Sequence, residues 1–141
     1  MADIDIGQIT EALNDKMDRD GHNVQSPSAV IVAKQEPTAD NSYTWYRKYS
    51  DGWVEQGKLN CSLPSQGANT AAAATFTLLV TMKNDSYHTT WARVVDGGNT
   101  YELTQVNVGR TTSNVKVWFW STVATNGAST IDISIAGMAA N

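Results

Sequence analysis

One cysteine, Cys61, stands among 141 residues, so neither an intrachain disulfide nor a two-cysteine metal or redox motif can form. A lone thiol fits synthesis in a reducing compartment. No run of about eighteen apolar residues is present, which excludes a spanning helix. The N-terminus lacks the basic-then-apolar plan of a secretory signal. Ten Lys and Arg face fourteen Asp and Glu, a net charge of −4, and there is no basic run to neutralise phosphates, so nucleic acid is not an expected partner. The two histidines, His22 and His88, have no second His, Cys or carboxylate at ligand spacing; they read as surface or turn residues, with no metal or cofactor. Phosphate loops, serine elbows and zinc signatures are likewise missing.

Aromatic residues are what the chain has: five Trp and five Tyr, against two Phe. They gather first in residues 43–57, where two β-favouring arms flank Ser50-Asp51-Gly52 and Gly52 can take the positive φ of a tight turn. This is the sequence of a hairpin. Alternation sends Tyr43, Trp45, Arg47 and Tyr49 to one side, and Thr44, Tyr46 and Lys48 to the other. Bulk on both faces means that each face is covered, one by its own domain and one by copies of the same chain.

The remaining chain divides by pattern. Residues 3–18 predict a helix with Ile6, Ile9, Leu13 and Met17 on one side. At ~1.5 Å per residue it is about 24 Å long, too short to be more than marginal alone. It can pack back on its own domain; the reading preferred here is a trimeric coiled-coil stem. Residues 21–28 form a linker. Beyond it, 29–33 predicts a buried strand and 57–63 continues the hairpin's second arm. Residues 64–69 are a loop, and a strand runs from about Ala73 through Met82. Residues 89–95 and 101–106 predict a second hairpin around Asp96-Gly97-Gly98-Asn99, with Trp91, Arg93 and Val95 on one face. In residues 115–123, Val115, Val117, Phe119 and Val123 oppose Trp118 and Trp120. After a turn at Asn126-Gly127, Ile131, Ile133 and Ile135 make one apolar face against Asp132, Ser134 and Ala136. About eight short strands predict a mainly β fold, an antiparallel β-sandwich or jelly-roll-like knob. The domain division expected is 1–20 stem, 21–28 linker and 29–141 knob.

Two carboxylate pairs, Asp51 with Glu55 and Asp96 with Glu102, have the composition of a glycosidase site. Asp commonly initiates turns, and Glu solvates edges, so a turn-and-rim role is preferred. No enzyme is expected and no catalytic residue is assigned. Trp45, Tyr46, Trp118 and Trp120 are assigned to subunit contacts, and receptor-contacting residues stay unassigned.

The run Tyr46-Arg47-Lys48-Tyr49-Ser50-Asp51-Gly52-Trp53-Val54-Glu55-Gln56-Gly57 resembles the signature "Y-R-x-Y-x-x-G-W-[VI]-E-Q-G-G" of bacteriophage tail-fibre tip domains, with Lys58 in place of the second Gly. Met82-Lys83-Asn84-Asp85-Ser86-Tyr87 is similar to their "M-x-D-T-N-Y" element. Residues 12–20 resemble the "A-L-N-x-K-A-D-x-D" segment that precedes such tips. The resemblance implies a homotrimeric virion protein, made in the host cytoplasm and exposed on the particle, attached to other virion proteins by its N-terminus. It further implies non-covalent binding of a host surface glycan or outer-membrane protein, without membrane insertion. Whole tail fibres carry long shafts, so the chain fits either a fibre's C-terminal piece or a short fibre. The alternatives are a head, collar or capsid decoration protein with a structural role, and a glycan-degrading, tailspike-like enzyme.

Overall fold

The computed structural model describes residues 25–94, 103–124 and 129–141. The stem residues Ile6, Ile9, Leu13 and Met17, both predicted turns at 96–99 and 126–127, and Glu102 lie outside them.

Eight strands are described: β1 (Ile31–Gln35), β2 (Thr44–Tyr49), β3 (Trp53–Leu63), β4 (Thr70–Thr77), β5 (His88–Val94), β6 (Leu103–Arg110), β7 (Asn114–Ser121) and β8 (Ser129–Met138). They form two antiparallel sheets, one ordered β1-β2-β3-β8-β5 and the other β4-β7-β6. The two sheets make a β-sandwich, because each alternating strand has one apolar face and the two apolar faces bury each other. Cys61 and Leu63 of β3 and Ile131, Ile133 and Ile135 of β8 meet Ala74 and Phe76 of β4 and Val115, Val117 and Phe119 of β7. The three isoleucines and the inward side of β7 therefore behave as their alternation predicts.

Met82 and Tyr87 complete this core from the segment joining β4 to β5. The Tyr87 ring is fully buried, and its hydroxyl lies 2.9 Å from the Thr111 carbonyl and 3.0 Å from that of Asn114. It thus fastens the β6–β7 turn to the core. The Arg110 guanidinium returns the contact, donating to the Tyr87 carbonyl at 2.9 Å.

The first hairpin forms as its sequence predicts. Gly52 has φ +88, and its N–H donates to the Tyr49 carbonyl at 3.0 Å. Asp51 holds the turn: its carboxylate accepts the Trp53 N–H at 3.0 Å and the Ser26 N–H at 2.6 Å.

Several expectations are corrected. The strand near 29–33 is present as β1, but it is an exposed edge strand, with Ile31 at 47% and Val32 at 60%. Three strands cannot cover five at ~4.8 Å spacing, and β4 packs on β3 and β8, leaving β1 without a second layer. The strands on either side of residues 96–99 do not pair: β5 pairs with β8 and β6 with β7. Long-range partners outcompete the local turn. Strand β4 starts at Thr70 and ends at Thr77, after which residues 78–82 leave the sheet. Tyr43 precedes β2 with φ 59, and Val123 follows β7 at 52% exposure, so neither shares the predicted strand face.

Candidate functional site

The hairpin sets one edge of an amphipathic platform on the outer face of the five-stranded sheet. Across the ladders, Trp45 lies opposite Gly57, Gly57 opposite Ser134, and Ser134 opposite Thr90. In the next row the order is Arg47, Glu55, Ala136 and His88. Partners in register point the same way, so these eight residues share a face.

Gly57 is what lets the platform form. A Cβ there would sit 2.5 Å from the Ile133 carbonyl oxygen, 2.8 Å from Trp45 Nε1 and 2.9 Å from Trp45 Cε2. The indole of Trp45 therefore lies over bare backbone. The Arg47 guanidinium carbon is 5.4 Å from the ring centroid, within cation–π range. Arg47 also reaches Glu55 at 3.8 Å, and the Tyr49 hydroxyl donates to Glu55 at 3.3 Å. Asp51 and Glu55 are thus each engaged in holding the hairpin.

Concavities open on both sides of this indole. Towards β5 there are two, of about 180 and 310 Å³; the first is lined by Glu55, His88 and Ala136, the second by Leu59, Asp132 and Trp91, and both by Thr90 and Ser134. On the β1 side a third, about 290 Å³, is bounded by Glu36, Pro37, Arg47 and Leu59. The Thr90 and Ser134 hydroxyls are 2.5 Å apart, and Asp132 accepts the Asn60 N–H at 2.9 Å.

The four aromatics assigned to subunit contacts do not share a surface. Trp45 is on the outer face just described, while Tyr46, half-buried, points to the opposite side with Gln56 as its partner. Trp118 and Trp120 point outward from the three-stranded sheet, Trp120 with 39% of its surface exposed. Their neighbours are small or polar: Ala73 and Asn107 beside Trp118, and Ala71 and Thr104 beside Trp120.

Motif residues prove to have unlike roles. Gln56 is fully buried; its amide nitrogen donates to the Val80 carbonyl at 2.7 Å, and its carbonyl accepts the N–H groups of Leu79 at 2.8 Å and Val80 at 3.0 Å. It pins residues 78–82 across the end of β3. Trp53 lies opposite Met138 and is half-buried. His88, read as a turn residue, is in β5 on the platform. Thr90, Asp132 and Ser134 are site residues that the sequence does not single out; for Asp132 and Ser134 the available signal is their alternation with Ile131, Ile133 and Ile135, and Thr90 joins them only through its pairing with Ser134. Cys61 is buried, and burial pushes its thiol up to about 11.

Among the described residues no cluster of three or more His, Cys, Asp or Glu is placed to hold a metal. Compared with known protein families, curated proteins and solved structures, the chain matches none.

Proposed function

We propose that this chain is a short bacteriophage fibre or a fibre tip, a homotrimer whose jelly-roll-like knob binds a host-cell surface receptor without covalent chemistry. The observation that carries the reading is apolar surface that a lone sandwich leaves open: Trp118 and Trp120 on the outer face of the three-stranded sheet, and Ile31 and Val32 of the uncovered edge strand β1. A closed three-fold ring uses two different patches on each copy, and the tryptophan face of the three-stranded sheet together with the open β1 edge meets that requirement. The hairpin that resembles fibre tips presents Trp45 on a separate face, the outer side of the five-stranded sheet, which is left for the receptor. Residues 1–20 act as the stem and virion attachment, and the knob is displayed on the particle.

A fluorescently labelled full-length chain added to a panel of bacterial strains tests this reading. Saturable surface binding to a subset of strains, displaced by excess unlabelled chain, is expected. Labelling no stronger than that of an unrelated protein on every strain would overturn it.

A further inference from the structure

The face around Trp45 combines features that serve different ends from the face around Trp118. We propose that the groove between Trp45 and β5 is a binding subsite for a neutral pyranose unit of a glycan. This rests on the reading of the knob as a receptor binder, and it names the site and the ligand class.

A pyranose ring has a face of C–H bonds and a rim of hydroxyls, so its recognition needs a fixed apolar plate beside hydrogen-bonding groups. Trp45 is such a plate. It is held by Gly57 beneath it and by the Arg47 guanidinium carbon 5.4 Å from its ring centroid, the part of the indole turned towards β5 lines both concavities, and a ring already held in place loses little freedom on binding. The groove beside it is floored by the short side chains of Ser134 and Ala136, which leave space where larger residues would fill it. Hydrogen-bonding groups stand around that floor: the hydroxyls of Thr90 and Ser134, the imidazole of His88, and the carboxylates of Glu55 and Asp132. Carboxylates accept pairs of sugar hydroxyls through charge-assisted bonds.

Charge selects within the class. Glu55 and Asp132 are two negative groups, and Arg47 offsets one of them from 3.8 Å. The remaining negative charge repels uronic acids, sialic acids and phosphorylated sugars and favours neutral ones. Size limits the length bound: at about 310 Å³ the larger concavity lies at the bottom of the range for small-molecule sites, about 300–1,000 Å³, enough for one or two rings. A protein partner would need a larger, continuous contact of about 800 Å².

The test is titration of the full-length chain with maltotetraose, cellotetraose, chitotetraose and mannotetraose, with tetragalacturonate as the anionic comparison. The readout is the indole N–H resonance of Trp45, assigned through Trp45→Phe. At least one neutral sugar is expected to shift it saturably, and Trp45→Ala and Asp132→Asn are expected to weaken binding tenfold or more with particle mass unchanged. No shift with any neutral sugar, a stronger response to tetragalacturonate, or equal affinity in Trp45→Ala would overturn the proposal. A Trp45→Ala chain that changes mass and still binds cells would mark Trp45 as an assembly contact, sinking this inference and leaving the receptor reading intact. Sugar binding at Trp45 by a chain that labels no cells would do the reverse.

Discussion

Replacing Gln56 by Glu changes one atom of a fully buried side chain and tests whether the tip-like motif is a structural clamp. The amide donates to the Val80 carbonyl at 2.7 Å and accepts from Leu79 and Val80 N–H. A carboxylate keeps the two accepted bonds but faces the Val80 carbonyl with a second oxygen, and it must be buried charged. Protonation restores the donor. Its cost is about 1.36 kcal/mol per pH unit above the ordinary Glu value of about 4.3, or about 3.7 kcal/mol at pH 7. That figure is a ceiling, since the folded state takes whichever form is cheaper. Urea unfolding of Gln56→Glu and the unchanged protein side by side should show a loss of roughly 2–4 kcal/mol at pH 7, shrinking below about 1 kcal/mol near pH 4. Against a typical domain stability of about 5–15 kcal/mol, the neutral-pH loss is large. A difference under about 1 kcal/mol at pH 7, or one that does not vary with pH, would refute the clamp.

Gly57→Ala should cost about 1–3 kcal/mol by overpacking, because its Cβ would meet the Ile133 carbonyl at 2.5 Å. Near-ultraviolet circular dichroism should change as Trp45 is displaced, and an unaltered spectrum with unaltered stability would count against the platform geometry. Stability should also fall as pH rises from 9.0 to about 11, because the unfolded chain ionises Cys61 first while burial keeps the folded thiol protonated. Burial raises the Tyr87 hydroxyl too and works in the same direction; a Cys61→Ser chain with an identical alkaline profile would remove the thiol from that account. Trp118→Ser and Trp120→Ser should each weaken assembly by roughly 2 kcal/mol, about thirtyfold, with the β-rich far-ultraviolet spectrum kept. Light scattering across a dilution series reads the effect, and unchanged association would clear that face of any subunit contact.

What could be read from the sequence was local. The Ser50-Asp51-Gly52 turn, the inward isoleucines of β8 and the outward tryptophans of β7 all follow from alternation and one glycine. Pairing partners were not legible. Residues 96–99 have hairpin composition, but β5 lies beside β8 because the sandwich offers that strand a buried neighbour at long range. The apolar run at β1 reads as buried because composition does not distinguish a central strand from an uncovered edge. Gln56 gave a faint sign, a polar residue two places after Val54 on the inward side of β3, yet nothing local shows that residues 78–82 come back to meet it. The Trp45 groove was hidden for the same reason. Its opposite wall comes from β5 and β8, brought to the hairpin only by the fold.

The account depends on copies of this chain sheltering surface that a lone sandwich leaves open. Static light scattering of the full-length chain at micromolar concentration measures this directly. Three chains of 15.3 kDa, about 46 kDa, are predicted. A particle of 15.3 kDa that holds that mass as concentration rises would contradict it.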